Sequence, residues 1–233
     1  MSLIMLYKYP STPHLPFSPG LQNDDRRITT LNGLLGTEIV VTEKLDGENT
    51  TMYSDHIHAR SLDSRHHASR DWVKQLWGKI SYQIPGSWRV CGENVYARHS
   101  IAYDDLDSYF YGFSIWNSEN IALHWGDTLR WFMQLGIKPV PVLYKGPFNL
   151  KRLERLAAEL DPKAQEGFVV RVIGAIPYED FDKKVAKWVR KGHVQTDEHW
   201  MKAPIVPNRI IGQSTTYHDS QDLSVVESGS FQR

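Results

Sequence analysis

The alternation of apolar and polar residues along the chain predicts more strands than helices. Runs rich in β-branched and aromatic residues are typical of strands, and the sequence has six of them: residues 37–45, 50–60, 88–96, 108–117, 166–174 and 183–190. Apolar residues at helical spacing occur in three segments: residues 70–84, 127–135 and 149–160. Because the strands do not alternate strictly with helices, we expect an α+β fold of largely antiparallel sheets flanked by helices.

The two ends of the chain depart from this pattern. Four prolines fall between Tyr9 and Gly20, which excludes a regular helix and predicts an extended lead-in packed on the body of the protein. Beyond about Asn208 the sequence becomes polar and aperiodic. We therefore predict one domain over residues 1–210 and a flexible tail over residues 211–233.

Composition narrows the possible classes. A length of 233 residues with 41% hydrophobic content supports one globular domain with a substantial core. Lysine plus arginine balance aspartate plus glutamate at 27 each, so bulk charge neither supports nor excludes a nucleic-acid partner. Cys91 is the only cysteine, which excludes an internal disulfide and fits a reducing compartment. Without an apolar run of transmembrane length or a signal pattern, we expect a soluble, cytoplasmic protein with no membrane partner.

A lysine stands where the first predicted strand ends. Lys44 follows the apolar run Ile39–Val41 and precedes the turn residues Asp46 and Gly47. A strand holds such an amine rigidly at the edge of a loop, which suits nucleophilic chemistry. An ordinary hairpin turn explains the same residues, because Asp-Gly is a strong turn signal. By residue frequencies, Lys-x-Asp-Gly occurs by chance in roughly one chain in twenty of this length.

Charged residues in later strands are candidate partners for this lysine. Glu93 and Glu166 lie in strand-like runs, and five basic residues follow Asp182, namely Lys183, Lys184, Lys187, Arg190 and Lys191. Each alone is more often a solvated edge residue. If the strand ends converge, one pocket holds a lysine nucleophile, two carboxylates for a divalent metal and cations for phosphates. There we expect the metal and the basic side chains to lower the pKa of Lys44 by repulsion.

Other catalytic motifs are missing from the sequence. It has neither a P-loop nor a dinucleotide-binding glycine pattern, its histidines and single cysteine lack zinc spacing, and Ser114 lacks the second glycine of a nucleophile elbow. Phosphoryl chemistry at Lys44 is therefore favoured. In that chemistry Asp46 is a candidate to bond the sugar or a metal-bound water, and Gly47 lets the backbone approach a ligand closely.

Five sequence blocks, in order, resemble those of the covalent nucleotidyltransferases, the superfamily of polynucleotide ligases and mRNA capping enzymes, and specifically its ATP-dependent RNA ligase branch. The blocks are Glu43–Gly47, Ala59–Ser61, Cys91–Glu93, Tyr109–Ile115 and Glu166–Arg171, and the basic strand Lys184–Arg190 resembles the last block of the family.

The resemblance implies that Lys44 reacts with ATP to give lysyl-AMP and pyrophosphate. AMP then passes to a 5′-phosphate RNA end, and a 3′-hydroxyl displaces it. The implied cofactors are ATP and Mg²⁺ or Mn²⁺, with Glu93 and Glu166 as metal ligands. By position, the implied catalytic residues are Lys44, Asp46, Lys187 and Lys184, and the implied nucleotide-binding residues are Glu43, Arg60, Arg65, Glu93, Phe113, Glu166 and Arg190.

Two assignments within this set stay open. The last block of the family usually has two lysines one residue apart, whereas this chain has Lys187 and Arg190 with Lys184 upstream, so any of the three is a candidate for the α-phosphate contact. Arg65 competes in the same way with Arg60. The resemblance also implies that Phe113 stacks on adenine.

The length of the chain after the last block favours RNA as the substrate. DNA ligases and capping enzymes resemble one another in carrying an OB-fold there, and the 42 residues after Lys191 are too few for a five-stranded barrel. Three alternatives remain: a DNA ligase, an RNA guanylyltransferase using the same lysine, or an inactive nucleic-acid-binding relative. Trp188 and Trp200 are candidates to stack on single strands or to lie in the core. A separate protein that recognises RNA ends is compatible with the sequence.

Overall fold

The computed structural model describes residues 5–21, 25–192 and 204–212. Its strands are β1 (Glu38–Lys44), β2 (Glu48–Met52), β3 (Ile57–Ala59), β4 (Arg89–Asn94), β5 (Phe110–Trp116), β6 (Ile121–Ala122), β7 (Lys138–Pro139), β8 (Val142–Pro147), β9 (Gly167–Val172), β10 (Ile176–Pro177) and β11 (Val185–Val189). Its helices are α1 (Asp71–Ile80), α2 (Trp125–Leu135), α3 (Leu150–Glu159) and the short α4 (Phe181–Lys184).

The strands form two sheets. The first has the order β11-β9-β1-β8, with every pair antiparallel. The second has the order β10-β6-β5-β4-β2-β3, and the short β7 adds to β5 in parallel. The predicted α+β class with largely antiparallel sheets is confirmed. No OB-fold occurs among the described residues, and none of their helices is long and apolar enough to cross a membrane.

The strand that ends at the candidate lysine is covered on both faces. Ile39 and Val41 of β1 lie in one apolar cluster with Phe168 of β9, whereas Val40 lies in another with Val95. All three β1 residues are fully buried. A strand with both faces covered reads as a continuous apolar run, so the sequence of β1 follows from its central place in the sheet.

Two predicted segments differ from the structure in detail, and one strand was not predicted. Residues 50–60 form a hairpin, because the chain reverses where Tyr53 N–H donates to the His56 carbonyl at 2.7 Å. The predicted strand 183–190 starts only at Val185, because the Asp180 carboxylate binds two lysines one turn later and favours a helical turn there. Strand β8 was not predicted, because its apolar run is short and is bounded by Pro141 and by Gly146-Pro147; as an edge strand it has no fully buried residue.

The three longer helices occur where the sequence predicts them. Asn149 caps α3 by accepting the Arg152 N–H at 3.1 Å. Helix α2 begins two residues earlier than predicted, because the His124 side chain accepts the Gly126 N–H and caps it there. It ends at Gly136, which adopts a left-handed conformation. Helix α1 stops at Ile80, and a 3-10 turn continues over residues 81–83.

The proline-rich lead-in runs extended along the outer edge of β11. Leu15 N–H donates to the Lys187 carbonyl at 2.7 Å, Lys187 N–H donates to the Pro13 carbonyl at 2.8 Å, and Gly20 N–H donates to the Val189 carbonyl at 3.0 Å. The lead-in therefore covers a sheet edge that would otherwise expose backbone groups.

A C-terminal segment, residues 204–212, returns to the second sheet. Its Asn208 is buried, donates to the Val95 carbonyl at 2.8 Å and accepts the Tyr103 N–H at 3.0 Å. Trp200 and nearly all of the predicted tail lie outside the described residues.

Candidate active site

A cavity of about 940 Å³ is lined by residues of both sheets. Lys44 and Lys187 reach it from the first sheet, and Glu93 and Phe113 from the second. Its volume is at the upper end of the range of small-ligand sites. Strand ends that are far apart in sequence therefore converge here, as the strand-borne charges predict.

Lys44 and Glu166 form a buried ion pair in this cavity. Lys44 is the last residue of β1 and pairs with Gly167 of β9, which places the preceding Glu166 beside it. The Lys44 Nζ lies 2.5 Å from Oε1 and 2.6 Å from Oε2 of Glu166. The lysine side chain keeps 18% of its surface exposed, whereas the glutamate has none. The amine therefore faces the cavity with a carboxylate fixed behind it.

Gly167 allows β11 to approach this pair. A Cβ at Gly167 would lie 2.0 Å from the Trp188 carbonyl oxygen, which is far inside the normal contact distance. The close approach brings β11 next to β9 in register, with Val189 opposite Gly167. Any side chain at Gly167 would push β11, and with it Lys187, away from the cavity.

The protein's own side chains keep Lys44 charged. Burial lowers the pKa of this amine, but the carboxylates of Glu166, Glu93 and Asp46 together outweigh burial and raise it. The basic side chains of the described residues do not lower the pKa of Lys44 as expected, because its charged neighbours are mainly acids; the effect of a bound metal stays a prediction. Burial also raises the pKa of Glu166, against the field of Lys44. Glu166 is therefore a better proton acceptor than a solvent-exposed carboxylate.

Glu93 and Asn49 lie opposite each other on β4 and β2 and both line the cavity. Burial, reinforced by the charges of Glu166, Asp46 and Glu48 and opposed by Lys44, raises the pKa of Glu93 to about 8. The buried Asn49 Oδ1 has no protein hydrogen-bond partner. Sequence reasoning missed Asn49, although it lies only two residues after Gly47.

Asp46 fixes a loop of the second sheet. Its Oδ2 accepts the Ser100 N–H at 2.8 Å, the Ser100 hydroxyl at 2.7 Å and the Ile101 N–H at 2.9 Å. Its own N–H donates to the Tyr103 hydroxyl at 2.8 Å. Asp46 lines the cavity but is only 4% exposed. The structure thus gives Asp46 an anchoring role, beside the predicted contact with sugar or metal-bound water.

Gly47 lies close to the backbone of β4. A Cβ at this position would be 2.5 Å from the Asn94 carbonyl oxygen.

Phe113 is half-buried in the cavity wall, with Tyr9 of the lead-in against it. The two rings are edge-to-face with centroids 5.0 Å apart. The Ser114 hydroxyl is engaged in a hydrogen bond within the protein, since it accepts the Trp116 indole N–H at 2.8 Å. Arg171 lines the same part of the cavity, and burial lowers its pKa to about 10. Sequence reasoning missed Tyr9 because the lead-in carries no nucleotide-binding motif.

The structure places the three basic candidates of the last block differently. Lys187 lines the cavity and is 8% exposed. Lys184 is not a lining residue, since it lies in α4 and pairs with Asp180 at 3.2 Å. Arg190 is not a lining residue either, and its N–H donates to the Glu166 carbonyl at 3.1 Å. Lys187 is therefore the candidate with access to a bound phosphate.

The remaining predicted residues lie at the mouth of the cavity. Arg60 and Arg65 are both exposed lining residues, so the structure brings both together with Lys44. Glu43 also lines the cavity, and burial raises its pKa while a hydrogen bond to Gln165 opposes the rise.

Two further lining residues were not predicted from the sequence. They are Glu48 and Arg70, which pair through two charge-assisted hydrogen bonds. Their separation of 22 residues hid this pairing from the sequence.

The carboxylates of the cavity fit a divalent cation in part. Among the described residues, no group of three or more His, Cys, Asp or Glu side chains is arranged to hold a metal ion. Glu166 directs both oxygens at Lys44. Glu93 fits as a ligand: burial and, after it, the neighbouring acids raise its pKa, and a cation would stabilise the ionised carboxylate. Such a site suits Mg²⁺, which commonly takes one or two carboxylates and completes its shell with substrate phosphates and water.

Comparisons with known proteins place this cavity in a known fold. A Naegleria gruberi RNA ligase with PPi aligns with a TM-score of 0.51 at 20% identity, covering 80% of this chain and 58% of that one. An archaeal ATP-dependent RNA ligase aligns with a TM-score of 0.57 at 14% identity, covering 79% and 48%. A putative ATP-dependent DNA ligase from Aquifex aeolicus aligns with a TM-score of 0.55 at 17% identity, covering 79% and 50%.

At these identities the likeness shows a shared fold, and the present chain spans about half of the length of those proteins. A comparison with curated proteins finds no match. The family model described as RNA ligase matches residues 37–189, more than half of the chain. That range holds Lys44, Glu93, Phe113, Glu166 and Lys187, and on this match the chain belongs to the RNA ligase family.

Proposed function

We propose that the protein is an ATP-dependent RNA ligase in which Lys44 is the covalent nucleophile. The observation that carries the proposal is the position of Lys44, which faces a large cavity and is held by the buried Glu166. The same carboxylate that holds the amine charged and in place is the group positioned to accept the proton that the amine must lose before it attacks.

In the first step the Lys44 Nζ attacks the α-phosphorus of ATP. A phosphorus–nitrogen bond forms, the bond to the bridging oxygen breaks, and pyrophosphate leaves. The amine must lose a proton to attack, and Glu166 is the acceptor within 2.6 Å of it. Lys187 stabilises charge on the α-phosphate, and Phe113 stacks on the adenine. A divalent cation held by Glu93 would neutralise phosphate charge and orient the pyrophosphate.

The later steps follow from the same residues. AMP passes from Lys44 to the 5′-phosphate of an RNA end, and a 3′-hydroxyl end displaces AMP to form the phosphodiester. Arg60 and Arg65, exposed at the cavity mouth, are suited to contact the RNA phosphates. The proposed location is the cytoplasm, and a separate protein that recognises RNA ends is a proposed partner.

Mass spectrometry of the purified protein after incubation with ATP and Mg²⁺ tests the first step. We expect a mass increment of one AMP on the peptide that carries Lys44, and none in Lys44→Ala. Lys138→Ala is the matched control, because this lysine is 57% exposed and lies outside the cavity. An AMP adduct that persists in Lys44→Ala would place the nucleophile elsewhere.

Labelled nucleotides and strands separate the alternatives. Label retained from GTP but not from ATP would indicate a guanylyltransferase, and no label with Lys44 intact would indicate an inactive relative. Sealing should be measured on matched 5′-phosphate RNA and DNA strands. We expect RNA ends to be joined, and joining of DNA alone would overturn the choice of substrate.

A further inference from the structure

Lys187 is held by a chain of polar residues from the segment before β1, two of them in the lead-in and one, Asp25, after it; this segment lies outside the residues that match the family model. Its Nζ donates to the Asp25 Oδ1 at 2.8 Å, and the other carboxylate oxygen of Asp25 lies 3.0 Å from the His14 Nε2. The His14 Nδ1 lies 2.7 Å from the Ser18 hydroxyl. We call Asp25, His14 and Ser18 the Lys187 brace.

The contacts of the brace favour one tautomer of His14. Ser18 Oγ accepts the Val189 N–H at 3.0 Å, and it lies 2.7 Å from the His14 Nδ1 and 3.5 Å from the Val189 carbonyl oxygen, so the shorter contact favours donation of the hydroxyl proton to Nδ1. The ring proton then lies on Nε2, which makes a close polar contact of 3.0 Å with Asp25 outside hydrogen-bond geometry. Burial, followed by the charge of Lys187, lowers the pKa of His14 to about 4, so the ring is neutral at pH 7. A neutral histidine with a defined tautomer fixes the direction of the Asp25 carboxylate.

The position of the brace points to the site. Asp25 and Lys187 both line the cavity, and their side chains are 15% and 10% exposed. The backbone of β11 is already bonded to the lead-in through the N–H and carbonyl of Lys187 and through the Val189 carbonyl, so the ion pair is not needed to attach the strand. A buried ion pair adds little net stability because desolvation offsets the attraction, whereas removal of one partner leaves an unpaired buried charge and is destabilising. The role in the site is therefore tested on the rate of the reaction, with folding controlled separately.

We propose that Asp25, oriented by His14, is the positioning residue for Lys187 in AMP transfer, so that the segment before β1 completes the active site. The inference rests on the proposed function, in which Lys187 contacts the α-phosphate. Asp25 keeps the ammonium charged and aimed into the cavity, and His14 prevents the carboxylate from turning away. Removing the carboxylate leaves Lys187 present but mobile. A displacement of about 1 Å at a group that contacts the reacting phosphate lowers the rate by about a hundredfold.

A double-mutant cycle on lysyl-AMP formation tests this inference. The rate at saturating ATP and the KM for ATP are measured for wild type, Asp25→Asn, Lys187→Ala and the double variant. We expect Asp25→Asn to lower the rate about ten- to a hundredfold with a small change in KM. In the Lys187→Ala background the same substitution should have less than a twofold effect, since residues that act through one another are not additive.

Controls separate positioning from folding. Asp107→Asn removes the carboxylate of a surface pair with Lys138, both 57% exposed, and should leave the rate unchanged. Asp25→Glu retains the charge and displaces it by one methylene, so it should give an intermediate rate and serves if Asp25→Asn does not fold. Full additivity with Lys187→Ala, or an unchanged or faster rate in both Asp25 variants, would overturn the inference.

The two proposals fail in different ways. If wild type forms no lysyl-AMP, or if Lys187→Ala reacts as wild type does, the proposed function of these residues is wrong. If Lys187→Ala is slow while the Asp25 variants react normally, only the role of Asp25 is wrong.

Discussion

Replacing Glu93 by Gln should change how the stability of this protein depends on pH. The Glu93 carboxyl lies on β4 among acids, and burial is the main reason that its pKa rises from 4.5 to about 8. The folded protein therefore keeps a proton on Glu93 between pH 4.5 and pH 8, whereas the unfolded chain does not. Stability must fall as pH rises through this window, because the folded state then holds the extra proton. Glutamine has nearly the same shape and cannot ionise.

The size of the stability change follows from the rise in the pKa of Glu93. Each pKa unit corresponds to about 1.4 kcal/mol of differential stability. A shift from 4.5 to about 8 therefore amounts to on the order of 3 to 5 kcal/mol, reached only above pH 8. Because Glu93 interacts with Lys44 and Glu166, the informative quantity is the difference between wild type and Glu93→Gln, from which titrations shared by both proteins largely cancel.

Urea denaturation at pH 5, 6, 7, 8 and 9 measures this difference. The free energy of unfolding of Glu93→Gln, relative to that of wild type, should rise by a few kcal/mol between pH 5 and pH 9. Glu119→Gln, which removes an exposed carboxylate, should run parallel to wild type. Calorimetry in buffers of different ionisation enthalpy adds a second readout: at pH 7, Mg²⁺ in the presence of ATP should release a proton in wild type and not in Glu93→Gln. Parallel pH profiles for wild type and Glu93→Gln would refute the reasoning.

Three further predictions follow from packing and position. Gly167→Ala should lower the free energy of unfolding by about 1 to 3 kcal/mol and slow lysyl-AMP formation, because its Cβ would meet a backbone oxygen at 2.0 Å. The control is Gly78→Ala in α1, where no atom lies within 4 Å of the new Cβ. In a urea titration of both variants, Gly78→Ala should raise the free energy of unfolding by about 0.5 to 1 kcal/mol. Asn208→Ala should lower the free energy of unfolding by about 2 kcal/mol or more, because it leaves buried backbone groups without partners. Lys187→Ala should slow self-adenylylation at least a hundredfold, whereas Lys184→Ala should change it less than threefold, as measured by label retained from ATP; equal losses would contradict the assignment.

The strands and helices were readable from the sequence where burial dictates the residue type. The apolar run before Lys44 indicated a covered strand, and Asn149 indicated a helix start. Strand β8 was missed although it begins with the strand formers Val142, Leu143 and Tyr144, because this apolar run is short and lies between Pro141 and Gly146-Pro147, which are typical of turns. The turn that begins at Phe181 was hidden for another reason: lysines bound to Asp180 stabilise it, and alternation of apolar residues does not record such pairs.

The sequence identified several residues of the candidate site but not the contacts between them. A carboxylate in a strand is unusual enough to draw attention to Glu93 and Glu166. Their partners depend on strand register, which the sequence does not state: Glu166 meets Lys44 across 122 residues, and Asp25 meets Lys187 across 162. Tyr9 and Asp25 had no motif to mark them, because the segment before β1 was identified only by its prolines.

The charge arrangement explains why composition was uninformative about a polyanionic ligand. Both lysines of the cavity are paired with acids, Lys44 with Glu166 and Lys187 with Asp25. Each pair holds an ammonium in place in a weakly solvated site, where an isolated charge would be expensive. A triphosphate carries a higher total negative charge than a single carboxylate, so it can compete with the carboxylates for the same ammonium groups. Because the lysines that would meet the ligand are balanced by the acids that orient them, equal numbers of acids and bases over the whole chain do not argue against a polyanionic ligand.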